Sequence, residues 1–494
     1  MKKKKYIYEI KEILEKNNLI VYSKLTNNYE INYLSFNSKD IKNNTLFFCK
    51  GEEFTIKYLN EAIKKGSNIY ISEKKHNVNS QYIIVKDIQK AMATISAFYY
   101  EYAYKDLTLI GITGTKGKTT TLYLIKNIIE SYTKEKCGII SSIEISTGKK
   151  NVSSSLTTPE SIDLHKYFYE AKENHIKYIV MEVSSQSEKK DRIYGITFDY
   201  GIFLNISNDH ISPKEHPNYA DYLECKLDFI KKCKKVICNK NTNNFFNVKK
   251  CANNILTFSK NKNDLADVLL IEKMIINNET YLIIQYRNKQ NKIKTKLIGD
   301  FNIENILAAY SLAKLLKINT ESIKNGIYKT TVEGRMNIYN IGKKNIIVDY
   351  AHNYISFKNV FKTIRKYYPN KKIVSVFGCP GNKAFNRRKE LAVLADKYSN
   401  YIILTSDDPN FENSKNICYE IASNISNTPH EILINREKAI TKGINIFRSG
   451  VVLVLGKGTE NYQRINGKKV TYIGDTQVIK NYINFLKKSD KWYW

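Results

Sequence analysis

No stretch of this 494-residue chain stays apolar for long enough to span a bilayer, so membrane insertion is not expected. The opening Met1-Lys-Lys-Lys-Lys5 is basic. Tyr6 to Lys16, however, alternates charged and apolar residues at helical spacing without a small-residue cleavage site, which argues against a secretory signal. The eight cysteines, at 49, 137, 225, 233, 238, 251, 379 and 418, include no C-x-x-C pair and no histidine at zinc-site spacing, so they read as reduced thiols of a cytoplasmic protein. Acidic residues are scarce, 48 against 79 lysines and arginines, which leaves a net charge of +31. Such a charge attracts polyanions. Arginine-rich blocks and aromatic-basic repeats are both lacking, and the excess lysine is spread among abundant Asn, Ile and Tyr, so compositional drift is the simpler cause and nucleic acid is not an expected partner.

What the chain does have is Leu107-Thr-Leu-Ile-Gly-Ile-Thr-Gly-Thr-Lys-Gly-Lys-Thr-Thr-Thr121, an apolar strand that runs into a glycine-rich turn and a helix opened by Lys-Thr. Backbone N–H groups at Gly114, Thr115, Lys116 and Gly117 can close around phosphate oxygens, with the positive end of the following helix aimed at the same anion. Lys118 then reaches the outer phosphates, Thr119 ligates Mg²⁺, and Thr120 completes the cradle. The strict G-x-x-x-x-G-K-[ST] pattern needs glycine at 112 and meets Ile112, with glycines at 111 and 114 instead. Helical spacing of Leu122, Ile125, Ile128 and Ile129 supplies the context that the pattern alone lacks. A structural glycine turn explains the glycines but not the Lys118-Thr119 pair.

The length suggests about three domains. Residues 1–105 read as a small α/β unit, with strand-like Thr45–Cys49, Asn68–Ser72 and Tyr82–Val85 around a helical Ile56–Lys65. Residues 106–333 alternate strands with helices around the phosphate loop, which predicts a parallel sheet whose ligands gather at the strand C-terminal ends. There Glu182 closes the strand 176–183 and Asn208-Asp209-His210 follows the strand 198–206, a carboxylate and an imidazole placed to hold Mg²⁺ beside nucleotide phosphates. Residues 259–297 alternate apolar and polar positions as an antiparallel meander does. Residues 334–494 carry four more strand-like runs with polar or glycine-rich turns, a second open sheet of Rossmann type.

The spelling Thr-Gly-Thr-Lys-Gly-Lys-Thr-Thr resembles the nucleotide loop of the Mur ligases, and further segments follow in family order. Phe36-Asn-Ser-Lys39 with Leu46-Phe-Phe-Cys-Lys-Gly51, Thr157-Thr-Pro159, Met181-Glu-Val-Ser-Ser185, Asn205-Ile-Ser-Asn-Asp-His210, Tyr222-Leu-Glu-Cys-Lys226, Gly299-Asp-Phe-Asn-Ile-Glu-Asn305, Asp349-Tyr-Ala-His352 and Gly456-Lys-Gly-Thr-Glu460 are similar to signatures of the MurE type. The resemblance implies that Ser38, Thr157, Thr158, Ser184, Lys190 and Arg192 bind a UDP-N-acetylmuramoyl peptide. It also implies that Asn305 faces adenine, and that Arg335, Asp349 and His352 approach the nucleotide as the domains close. The resemblance further implies that Lys226 is a carbamate (N6-carboxylysine) that joins Thr119, Glu182 and His210 around two Mg²⁺. By chemistry alone Lys226 reads as a solvated surface lysine. Family departures stand at Lys116, Gln186, Lys190, Lys383 and Thr459.

Ser406-Asp-Asp-Pro-Asn410 stands where diaminopimelate-adding members carry Asp-Asn-Pro-Arg. With Asn410 in place of that cation, a second substrate carboxylate loses a charge-assisted pair of about 1.5–3 kcal/mol. Asp407 and Asp408 suit a side-chain ammonium instead, so lysine or ornithine is favoured, with Pro409, Gly456, Glu460 and Lys383 lining the pocket; Lys383 can hold a carboxylate only as a point charge. The expectation is a monomeric, three-domain α/β ligase. Using ATP and Mg²⁺, it joins an amino acid to UDP-N-acetylmuramoyl-L-alanyl-D-glutamate through an acyl phosphate. Another Mur or folylpolyglutamate-type ligase, or a paralogue with a different acceptor, shares the loop. A nucleic-acid-dependent ATPase is the alternative of a different class.

Overall fold

The computed structural model describes residues 3–488 apart from 155, 208–210, 213–214 and 277–278. No described helix is long and apolar enough to cross a membrane. By internal contacts the chain separates into two compact units. One holds residues 1–272, 283–291 and 304–327; the other holds 273–282, 292–303 and 328–494.

The first unit contains a five-stranded sheet and most of an eleven-stranded one. The five-stranded one runs in the order Ile20–Lys24, Gln81–Val85, Ile69–Ser72, Thr45–Phe48, Tyr33–Ser35, parallel except at the first pair. Its strands are fully buried over Thr45–Phe48 and Ile69–Ser72, as expected of parallel strands covered on both faces by the helices Ile7–Lys16, Ile56–Lys64 and Ile88–Tyr99. The expected strands and helix of residues 1–105 thus fall within two residues of their positions.

The phosphate-loop strand Thr108–Thr113 lies inside an eleven-stranded sheet, between Phe198–Phe203 and Tyr178–Glu182, parallel to both. At its centre Gly111 pairs with Gly201 across the ladder, and a Cβ at 111 would stand 2.6 Å from the Phe229 ring. Gly111 is therefore a packing glycine that admits the helix Tyr219–Lys231, and the loop proper begins at Gly114. Register sets Glu182 beside Ile112 and Phe203 beside Thr113, so three strand ends open on one side of the sheet. Over Val268–Ile276, Glu279–Tyr286 and Lys289–Thr295, strands adjacent in the chain are adjacent in the sheet, as the meander requires.

The second unit holds a six-stranded sheet ordered Asn337–Ile341, Lys344–Asp349, Gly450–Leu455, Ile373–Phe377, Tyr401–Leu404, His430–Ile432. All pairs are parallel except the first. The strand 450–455 inserts between 344–349 and 373–377, so the chain reverses its direction of travel there, and ligands of such sheets gather outside the strand C-terminal ends. Asp349, Gly378, Thr405 and Gly456 sit at those ends.

Candidate functional site

The loop from Gly114 to Lys118 is shaped by two glycines with φ of 155° and 91° at 114 and 117, values that side chains resist. At Gly117 a Cβ would also collide with the Asn305 amide oxygen, which accepts from Thr121 Oγ1 at 3.3 Å. Asn305 is thus packed under the loop from the helix Phe301–Leu315. The side-chain amide of Asn205 grips residue 116 at both main-chain groups, accepting from its N–H and donating to its carbonyl, each at 3.0 Å. That grip reads only the backbone, which is why the departure to lysine at 116 leaves the loop intact. Lys118 Nζ donates to the Gly114 carbonyl at 2.7 Å, which holds the ammonium over the cradle. Thr115 Oγ1 lies 3.0 Å from the Tyr222 hydroxyl and accepts from the Ser207 N–H, while Thr120 is buried behind it on the helix Lys118–Thr133.

Glu182 is 1% exposed, yet its Oε1 receives only hydroxyl and amide donors, Thr119 Oγ1 at 2.9 Å and Ser142 N–H and Oγ at 3.1 and 3.3 Å. Among the described residues no cation pairs with it. A buried carboxylate costs several kcal/mol unless a charge compensates it, so the donor set of Glu182, Thr119 and Ser142 beside a phosphate cradle fits a hard divalent cation. His210, the expected third member, lies outside the described residues.

The surface reading of Lys226 is corrected. The side chain is 2% exposed, lies 4.7 Å above the Tyr222 ring and donates to Thr113 Oγ1 at 3.2 Å, at the end of the phosphate-loop strand. Its helix turns Tyr222, Lys226, Phe229 and Ile230 toward the sheet, so 226 falls on the apolar stripe.

Of the residues expected to hold the peptide substrate, Thr158, Ser184 and Arg192 draw together behind Glu182. Thr158 Oγ1 donates to the Glu182 carbonyl at 2.9 Å and accepts from the Ser184 N–H at 3.1 Å, with Thr157 half-buried beside it. The Arg192 guanidinium donates to the Thr158 carbonyl at 3.1 Å and to Glu160 at 3.0 and 2.8 Å. Lys50, two residues beyond the strand Thr45–Phe48, pairs with the other oxygen of Glu160 and lies 4.7 Å over the ring of Phe36, two residues before Ser38. Ser38 itself is buried and donates to Glu61 at 2.7 Å, whereas Lys190 is exposed. The sequence reading missed Lys50 and Glu160, although both lie inside or beside the quoted motifs, because they are 110 residues apart.

In the second unit Asp349 is buried, accepts from the Met336 and Ala351 N–H groups at 2.8 and 2.7 Å, and is raised above the usual carboxylate range by burial against the opposing pull of Arg335. Arg335 lies 4.6 Å over the Tyr350 ring, and His352 Nδ1 is 2.8 Å from the Tyr350 carbonyl. Nearby, Lys457 is 0% exposed and serves three acids, Glu460 at 2.6 Å, Asp408 at 2.7 Å and Asp407 at 3.8 Å. Burial works against its charge, but Asp407, Glu460 and Asp408 together hold its pKa above the ordinary lysine value.

Asp408 and Glu460 are therefore already engaged, by Lys457, by the Arg464 N–H at 3.0 Å and by the Tyr350 hydroxyl at 3.1 Å. Asp407 is not. It is 8% exposed, accepts no hydrogen bond from any described residue, and is pushed above the usual range by burial and by Asp408 and Glu460, against Lys457 and Arg436. Its Oδ2 faces Gly456, where a Cβ would stand 2.6 Å away. Beneath both loops the buried Arg436 pairs with Asp475 at 2.7 and 2.8 Å and donates to the carbonyls of Leu455 at 2.9 Å and Ser406 at 3.3 Å. Asn410 takes a φ of 54°, a left-handed value that asparagine tolerates, and bonds the hairpin residues Arg464 and Asn466 through its backbone. Its side-chain amide bonds no described residue. Pro409 is buried with its carbonyl against Gly381, and Lys383 is exposed on the adjoining loop.

Residues 112–313 match the Mur ligase middle domain and residues 334–458 the Mur ligase glutamate ligase domain. A UDP-N-acetylmuramyl-tripeptide synthetase of Lactobacillus acidophilus is 36% identical over 490 residues, 94% of each chain. The UDP-N-acetylmuramoyl-L-alanyl-D-glutamate--L-lysine ligase of Enterococcus faecalis is 35% identical over 505 residues, 97% of this chain and 99% of the relative. Among solved structures, a UDP-N-acetylmuramoyl-L-alanyl-D-glutamate--2,6-diaminopimelate ligase superposes with a TM-score of 0.66 at 24% identity, covering 93% of this chain and 96% of that one. MurF of Thermotoga maritima, solved with ADP, gives 0.63 at 18% identity over 93% and 99%. At these identities the structures bear on the fold.

Proposed function

The chain belongs to the Mur ligase family, and from that premise we propose that it is the ATP-dependent ligase that joins L-lysine to UDP-N-acetylmuramoyl-L-alanyl-D-glutamate in peptidoglycan precursor synthesis. The observation that carries lysine is Asp407, a buried carboxylate without a hydrogen-bond donor among the described residues that opens on Gly456, with neutral Asn410 nearby where a diaminopimelate site needs a cation. An incoming side-chain ammonium supplies the hydrogen-bond donor that no described residue provides.

In this reaction the γ-phosphoryl group of ATP passes to the substrate's terminal carboxylate, and the amine of the amino acid then displaces phosphate. The loop N–H groups from Gly114 to Thr119 and the Lys118 ammonium bind the phosphates and offset the charge that develops on them. Thr158, Ser184 and Arg192, with Ser38, Thr157 and Lys190, orient the UDP-sugar peptide, and Asn305, Arg335, Asp349 and His352 are assigned to the nucleotide. Thr119, Glu182, His210 and Lys226 are the residues we assign to Mg²⁺, two ions in this reading, whose chemistry is to neutralise phosphate and carboxylate charge. For Lys226 the reading requires the carbamate, carried on an Nζ that lies 3.2 Å from the Thr113 hydroxyl. Asp407, Asp408, Pro409, Asn410, Lys383, Gly456 and Glu460 form the amino-acid pocket. We place the domain boundaries at 105/106 and 333/334, and the protein in the cytoplasm as a monomer.

Phosphate release from ATP with Mg²⁺ and UDP-N-acetylmuramoyl-L-alanyl-D-glutamate, with L-lysine, L-ornithine or meso-diaminopimelate in separate reactions, tests this. Turnover with lysine is expected. Turnover with diaminopimelate alone refutes the pocket reading, and no turnover with any of them refutes the acceptor.

A further inference from the structure

The ion cluster around Glu160 has more cations than the family signatures account for. Lys50 and Arg192 both pair with this one carboxylate, their side chains 10% and 8% exposed and Glu160 14%. Lys190 is close enough that its charge, with that of Arg192, disfavours protonation of Lys50, whose pKa burial already lowers. The next carboxyl, Asp163, is raised by burial and is served by Lys166 as well as Lys50. Two cations, Lys50 and Arg192, thus face Glu160 and a reluctant Asp163, with the charge of the exposed Lys190 added to theirs. Positive charge left over in so enclosed a place is costly unless an anion compensates it.

The cluster also stands where a substrate is expected. Arg192 ties it to the Thr158 carbonyl, Thr158 bonds Ser184, and Phe36 under Lys50 leads to Ser38. We propose that Lys50 is a substrate-binding residue, its ammonium shared between Glu160 and an acidic group of the UDP-sugar peptide, a carboxylate or the diphosphate. Lys50 comes from the segment that follows the strand Thr45–Phe48 and Glu160 from the loop after Thr157-Thr-Pro159, so one ammonium ties the end of that strand to the peptide-binding loop and reads the charge of what lies between them. The inference rests on the assignment of this pocket to the UDP-N-acetylmuramoyl peptide.

Binding of UDP-N-acetylmuramoyl-L-alanyl-D-glutamate and of UDP alone to the full chain, measured by calorimetry beside the KM values of all three substrates, tests it on the variants K50M, K50R and E160Q. A charge-assisted contact predicts that K50M weakens the peptide substrate about 10- to 100-fold. The KM for ATP and for the amino acid stays constant, and K50R stays within a few-fold of wild type. E160Q breaks the same Lys50–Glu160 pair but frees both cations, so it leaves affinity unchanged or tighter. Equal losses in K50M and E160Q make Lys50 a structural strap and overturn the proposal, as does a K50M that binds like wild type. If UDP alone already shows the K50M loss, the anion is the diphosphate; if only the peptide substrate shows it, the anion is a carboxylate. Wild-type protein that binds no UDP-sugar peptide refutes the parent assignment instead.

Discussion

Replacing Asp407 with asparagine separates binding from stability, with opposite signs. Asp407 is 8% exposed, has no hydrogen-bond donor among the described residues, and stands 3.8 Å from Lys457, whose closer partners are Asp408 and Glu460. Its pKa in the folded protein is raised above 3.8, burial outweighing Lys457 and Arg436. A carboxyl with a raised folded pKa binds more protons folded than unfolded, so its contribution to stability is favourable at low pH and is lost as pH rises through the folded value. At pH 7 the ionised Asp407 is therefore a burden on the fold, and the neutral, nearly isosteric D407N is expected to melt at the same temperature or higher. The gain over wild type shrinks as pH is lowered below the folded pKa. The same change removes the carboxylate offered to the lysine ammonium, a charge-assisted bond of about 1.5–3 kcal/mol, so the KM for lysine is expected to rise about 10- to 150-fold with the KM for ATP unchanged. Thermal melts from pH 4 to 8 and phosphate-release kinetics at varied lysine measure the two halves. A destabilised D407N, or one that keeps its lysine KM, refutes the reasoning.

Lys118→Ala removes the cation over the phosphate loop, and ligation is expected to fall at least about 1000-fold with little change in melting temperature, since Lys118 is bonded to loop carbonyls at its surface. Arg436→Met leaves Asp475 as a buried uncompensated charge and unties the Leu455 and Ser406 carbonyls; a loss of about 3–5 kcal/mol in denaturant unfolding is expected, with the KM for lysine rising before that for ATP. His165 is 1% exposed between Tyr104 and Phe168, its Nε2 without a hydrogen-bond partner among the described residues, and burial lowers its pKa to about 3. Below pH 6.5 the unfolded chain takes up a proton there that the folded one refuses, so stability falls with pH between about 6.5 and 3, and H165F is expected to flatten that fall in melts at pH 5.

The phosphate loop was legible because its chemistry is local. A strand, a glycine turn and Lys-Thr at a helix start are contiguous, and the polypeptide has few ways to arrange them. Gly111 was not legible in its role, since only the approach of Phe229 across the sheet shows it to be a packing residue. Lys226 looked solvated because lysine usually is. Its spacing from Tyr222 and Phe229, on the buried stripe of one helix, was the signal that could have placed it.

By itself, the sequence determined the α/β class, the phosphate cradle and the placing of polar residues at strand ends, since each follows from residue spacing over a dozen positions. It could not determine which charges are buried together. Lys50 meets Glu160 across 110 residues, and Lys457 meets Asp408 across 49. The second pairing exists because the strand 450–455 inserts between 344–349 and 373–377 and brings its loop beside the one after 401–404. Strand order is decided by the packing of the whole sheet. The tertiary structure therefore decided that Lys457 satisfies Asp408 and Glu460 and that Asp407 is the carboxylate left without a hydrogen-bond donor among the described residues.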